Sequence, residues 1–127
     1  MNTALVTAIG SFSADIVIKN LIKSGFRVVG CDIYPAEWIA DSGNVASFYQ
    51  VPLATDEKRY VNSILKICRE EQAKLLIVLT DVEVDVWNRY RDELALASVK
   101  LCLSSEETLL LCRDKRKLYR FLMEKGI

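Results

Sequence analysis

Histidine is absent from the 127 residues. That removes Ser/His/Asp triads, Cys/His dyads, His-ligated zinc and any imidazole proton shuttle from what this chain can supply. Net charge is absent too: seventeen Lys+Arg stand against seventeen Asp+Glu. No global basic field exists to hold nucleic acid or an anionic membrane. No apolar run approaches the ~18 residues of a membrane span, and the start, Met1-Asn2-Thr3-Ala4-Leu5-Val6, has no basic segment ahead of an apolar one. Breakers are few, with two prolines and five glycines. The four cysteines, Cys31, Cys68, Cys102 and Cys112, form no Cys-x-x-Cys pair. Reduced thiols in the cytoplasm are the expectation, each buried as a small hydrophobe beside its apolar run.

What is present is apolar and patterned. Hydrophobic residues make up 51% of the chain, enough for a packed core, and the length suits one domain at ~150 residues each. Ala4 to Ile9 reads as a buried strand closed by Gly10. Ala14, Val17, Ile18, Leu21 and Ile22 then recur at helical spacing, predicting a helix over Ser13 to Ser24 with Gly25 as its left-handed cap. Phe26 to Asp32 reads as a second strand, completing a βαβ unit within about 30 residues. After an irregular stretch, Phe48 to Val51 forms a short strand stopped by Pro52, and Thr55 is placed to cap a helix whose stripe is Tyr60, Val61, Ile64, Leu65 and Cys68. Lys74 to Thr80, with five consecutive apolar residues, suits the central strand of a sheet covered on both faces.

Asp81 to Trp87 carries both periodicities, but a parallel strand at Val99 to Leu103 requires a crossover, which favours a helix somewhere between Asp81 and Ser98. Ser104 and Glu107 form a capping box ahead of Leu109 to Leu111, and a last helix runs from about Asp114 to Lys125 with Gly126 beyond it. This order specifies an α/β fold: a doubly wound, mostly parallel, Rossmann-like sheet of about five strands. Ligands of such sheets lie outside the carboxyl ends of the strands, which directs attention to Ala8 to Ser13, Asp32 to Pro35 and Thr80 to Glu83.

Each of these segments has two readings on the residues alone. Gly10, Ser11, Phe12 and Ser13 sit where a dinucleotide loop would lie but supply one of its three glycines, so an anion or substrate cradle stands beside a plain turn. Asp32 stands 22 residues after Gly10, the place of a ribose-binding acid and equally of a turn cap. Asp81, Glu83 and Asp85 could offer carboxylates to Mg²⁺; the alternative is that Asp81 caps a helix while the others face solvent. The basic run Arg113, Lys115, Arg116, Lys117 and Arg120 has the composition of a solvated helix face, though a single lysine suffices to meet a nucleotide phosphate.

Five short motifs, in order along the whole chain, resemble the N-terminal Rossmann-like domain that precedes the ATP-grasp fold in carbamoyl-phosphate synthase large-subunit-like proteins. They are the strand and Gly loop at Ala4 to Gly10, Asp32-Ile33-Tyr34-Pro35, Tyr49-Gln50-Val51-Pro52, Leu79-Thr80-Asp81, and Cys112-Arg113-Asp114-Lys115 running through Phe121-Leu122 to Gly126-Ile127. The last is the most specific.

The resemblance implies a pre-ATP-grasp domain over residues 1–112 and, over 113–127, a terminal helix leading into an ATP-grasp domain that lies beyond Ile127. It implies ATP-dependent ligation, in which a carboxylate is phosphorylated and then attacked by an amine, with ATP and Mg²⁺ used by the longer protein and neither bound by this chain alone. Lys115 matches the family's ATP-contacting position. Gly10 to Ser13, Asp32, Thr80 and Asp81 match the face toward the substrate. The implied partners are the chain's own ATP-grasp domain and a small carboxylate or amine, with neither nucleic acid nor membrane, and a homo-oligomer is left open. The competing readings are a nicotinamide-dinucleotide-binding module and a stand-alone interaction domain. A response-regulator receiver is set aside, because Ile9-Gly10 lacks the acidic pair such a domain carries.

Overall fold

A computed structural model describes residues 1–127. Five parallel strands form one sheet in the order β3-β2-β1-β4-β5. They are β1 (Thr3–Val6), β2 (Arg27–Asp32), β3 (Ser47–Gln50), β4 (Ala73–Ile77) and β5 (Lys100–Leu101). The helices are α1 (Ala14–Lys23), α2 (Glu57–Glu70), α3 (Asp81–Arg89), α4 (Arg91–Leu96), α5 (Glu106–Arg113) and α6 (Lys115–Glu124); two short 3₁₀ turns occupy Ala36–Trp38 and Ala40–Asn44.

The period of two along the strands sends alternate side chains to opposite layers. Leu5, Val29, Cys31 and Leu76 meet Tyr60, Val61, Ile64, Val86, Trp87 and Leu94 from α2, α3 and α4. Val6 and Val28 meet Ala14, Ile18 and Ile39 on the other face. The sheet is therefore doubly wound, as expected. Its centre is β1, buried at all four residues, and not the long apolar run after Lys74. That run supplies β4, an interior strand paired with β1 and with the two-residue β5, which ends at Ile77 and buries only Ala73 and Leu76.

Local chemistry sets the ends. Gly25 at φ +91° lets the α1 terminus close with Phe26 N–H donating to the Leu21 carbonyl and Gly25 N–H to Ile22. Asp56, not Thr55, occupies the cap position of α2. Ser105, not Ser104, caps α5 by accepting from Thr108 N–H, which removes the Ser104/Glu107 box. The crossover between Asp81 and Ser98 breaks at Tyr90 into α3 and α4. Asp114 accepts from Arg116 and Lys117 N–H at 2.9 and 3.2 Å, starting α6 one residue later than expected. Cys31 and Cys68 are buried; Cys102, just past β5, and Cys112, on α5, are exposed, the latter because α5 and α6 bury no residue and pack chiefly on each other. Burial pushes the Cys31 thiol up and the Cys68 thiol up to about 12, so neither is a ready nucleophile.

Candidate functional site

The carboxyl ends of β1, β2 and β4 open into a cavity of about 670 Å³. That is within the usual size range for small-molecule sites. Its floor is the loop after β1. Ala8 adopts φ +51°, a left-handed conformation that costs a non-glycine residue about 1 kcal/mol, and this turns the chain so that Ile9 N–H reaches the Cys31 carbonyl at 3.2 Å. Gly10 N–H then donates to Asp32 Oδ2 at 2.8 Å. A Cβ at Gly10 would lie 2.8 Å from Ile39 Cδ1 and 2.9 Å from Asp32 Oδ2, so glycine is required here for close approach.

Asp32 is 6% exposed, and its second oxygen accepts from Tyr34 N–H at 3.1 Å. Both carboxylate oxygens thus hold backbone, one fixing the first loop and the other the turn that follows β2. The acid is at the expected strand end, but its immediate work is to clamp two loops.

Opposite it, the N-terminus of α3 presents Glu83, 6% exposed. Thr80 caps the helix: its hydroxyl accepts from Glu83 N–H and donates to Glu83 Oε1 at 2.8 Å. The other carboxylate oxygen accepts from the Tyr60 hydroxyl on α2, and the Trp87 indole N–H donates to that phenol oxygen at 3.2 Å. Burial and the adjoining Glu83 charge push the Tyr60 hydroxyl far up from its ordinary range, so it stays a donor.

The three carboxylates after β4 therefore separate. Glu83 turns inward, contrary to the expectation that it faces solvent, while Asp81 and Asp85 both bond the Arg113 guanidinium, at 3.1 Å and at 2.9 and 3.0 Å. No cluster of three metal-binding side chains is assembled anywhere. Thr80, not Asp81, is the cap.

Of the residues singled out from sequence, Gly10, Ser11, Asp32 and Thr80 line the cavity. Phe12 is fully exposed and Ser13 stands at the N-cap of α1 without a side-chain cap bond; neither lines it. Asp81 and Lys115 also lie outside the lining, Lys115 as the exposed first residue of α6. Tyr34 and Glu83, within the two later segments marked out from the sequence, line it as well, and the unforeseen contributors are Trp38, Leu53 and Tyr60. One signal for Glu83 was in the sequence: Thr80-x-x-Glu83 is itself a capping-box pattern, which ties the glutamate to the helix start and hence to the strand ends.

No curated protein sequence matches this chain. The family described as "PylC-like, N-terminal domain" matches residues 5–102. Among solved structures, N5-carboxyaminoimidazole ribonucleotide synthetase from Thermotoga maritima is similar over 100% of this chain and 31% of its own, at 16% identity and TM-score 0.63. The biotin carboxylase domain of 2-oxoglutarate carboxylase from Hydrogenobacter thermophilus, crystallised with MgADP, ADP and bicarbonate, is similar over 98% and 27%, at 15% identity and TM-score 0.71. Glycinamide-RNase-transformylase T from Mycobacterium tuberculosis is similar over 98% of this chain and 35% of its own, at 17% identity and TM-score 0.63. The chain spans about a third or less of each of these. Taken with the five-stranded parallel sheet and the cavity at its carboxyl edge, the match makes this chain a member of the PylC-like N-terminal domain family, with the Rossmann-like fold that precedes the ATP-grasp domain in ATP-grasp enzymes.

Proposed function

We propose that this chain is the substrate-side domain of an ATP-grasp ligase, in which a carboxylate activated by ATP is joined to an amine or another nucleophile. The observation that carries the reading is the 670 Å³ cavity at the strand ends, in a chain of this family. Mg·ATP does not fit this cavity: its lining holds no lysine or arginine to meet phosphate, and no group of three metal-binding side chains is assembled there. ATP and Mg²⁺ are both assigned to a further domain. Lys115 is the one residue proposed to reach the nucleotide, from the exposed start of α6 and away from the cavity. The ribonucleotide that one neighbour is named for and the bicarbonate bound to another are not carried over to this chain.

The chain's own residues position the acceptor. Asp32 fixes the two loops that form the floor, and the apolar walls exclude water from what binds there. The test is the reading frame past Ile127 and the activity of its product. Several hundred further codons and substrate-dependent ADP release support the reading. A stop codon at that point overturns it.

A further inference from the structure

We infer that the cavity is selective for an amphipathic amine: a small ligand with a hydrocarbon body whose ammonium group lies at the Glu83 end. The inference rests on the proposed function for its place in a reaction, and it narrows the substrate class of that same cavity. Its lining is charged with one sign only. Asp32 and Glu83 are its ionisable acids, and no lysine or arginine joins them; histidine is absent from the chain. A phosphate or carboxylate entering would meet two buried negative charges without a counter-ion, whereas an ammonium would gain one.

The partial positive charge at the α3 N-terminus does not reverse this sign, because Asp81 and Glu83 occupy its first turn. Glu83 keeps acceptor capacity. Each of its oxygens takes one hydroxyl proton, from Thr80 and from Tyr60, and a carboxylate has about four lone-pair sites.

The rest of the wall is apolar. Ile33, Val51, Leu53 and Val82 line it, and at its mouth Tyr34 and Trp38 sit with ring centroids 5.8 Å apart. Trp38 is 73% exposed, a large aromatic face left in water beside a cavity. Aromatic faces attract cations as well as hydrocarbon, so the rim and the floor select for the same ligand.

The test uses the full chain without nucleotide and four probes: n-hexylammonium, n-hexanol, hexanoate and inorganic phosphate. The protein has two tryptophans, Trp38 in the lining and Trp87 bonded to Tyr60, so two indole N–H resonances report on the cavity. Hexylammonium is expected to shift both saturably and to bind about tenfold more tightly than hexanol, a difference of about 1.4 kcal/mol. Hexanoate and phosphate are expected to leave both unmoved. Glu83→Gln should erase the preference for the ammonium over the alcohol.

Leu53→Lys places a cation on an exposed rim residue without touching the core, so it serves if Glu83→Gln fails to fold. It should weaken hexylammonium about tenfold and admit hexanoate. Hexanoate or phosphate binding to the wild type as tightly as the amine overturns the inference and leaves the ligase reading standing with a different substrate. So does a preference that survives in both variants. Silence from all four probes overturns the cavity as a ligand site, and ADP release by the longer protein then decides the ligase reading separately.

Discussion

The hydroxyl of Tyr60 donates to the carboxylate of Glu83 across 23 positions of sequence, joining α2 to the first turn of α3 beneath the cavity. Trp87 completes the arrangement by donating to the same phenol oxygen, with its ring centroid 6.0 Å from that of Tyr60. All three side chains are buried, at 1%, 6% and 0% exposure. Removing the hydroxyl leaves a buried carboxylate oxygen and an indole N–H without their partner. Tyr60→Phe is therefore expected to destabilise the fold by about 1–3 kcal/mol, read as a lower urea midpoint with an unchanged slope. An unchanged midpoint would show that the three groups are satisfied in some other way.

Gly10→Ala tests the clamp between the first loop and Asp32. The added methyl meets Ile39 and the Asp32 carboxylate at under 3.0 Å, and the loop has no slack, since Gly10 N–H is itself bonded to that carboxylate. The expected cost is about 1–3 kcal/mol, with loss of the protection of the Gly10 amide against hydrogen exchange. Gly30, inside β2, predicts a similar conflict, with a Cβ only 2.6 Å from Ile9 Cδ1.

At the opposite end of the sheet, Glu71 accepts from the Tyr49 hydroxyl and from Arg27, both at 2.6 Å. The Tyr49 hydrogen bond, aided by Arg27, holds the Glu71 carboxyl below its ordinary 4.5. The folded state thus binds this proton less readily than the unfolded chain, so the contribution of Glu71 is complete above 4.5 and is lost as pH falls below it. Tyr49 is the reverse case: its bond to Glu71, with burial, pushes the phenol up to about 12, so its contribution holds below its ordinary 10 and is lost as pH rises from 10 toward 12. Tyr49→Phe should flatten both limbs of a stability-against-pH curve. Limbs identical to those of the wild type would contradict the assignment.

Lys115 is exposed and has no ion-pair partner. Lys115→Ala should leave the unfolding midpoint of this chain unchanged. In the product of a longer reading frame it should raise the KM for ATP with little change in the KM for the acceptor. The opposite split would remove Lys115 from the nucleotide side.

The architecture was legible because the apolar run closed by Gly10, the helical spacing from Ala14 to Ile22 and the cap at Gly25 mark out β1, α1 and β2 in turn. The centre of the sheet was not. Hydrophobicity ranks the Leu75 to Leu79 run above Ala4 to Val6, but centrality is set by which strand has a neighbour on both sides over its whole length, and the two-residue β5 covers little of β4. Glu83 was misjudged for a related reason. A glutamate among Asp81 and Asp85 reads as solvent-facing, and only Tyr60, from a distant helix, makes its burial affordable. Tyr34 and Trp38 lie in an irregular segment, where no periodicity indicates which way a ring turns.

The central claim, that this domain presents a substrate cavity and leaves ATP to a further domain, is tested most directly by calorimetric titration of Mg·ATP into this chain at micromolar concentration. The account predicts no saturable heat for the chain and saturable binding for the product of a reading frame that continues past Ile127. Tight binding of Mg·ATP by the 127 residues alone would contradict it.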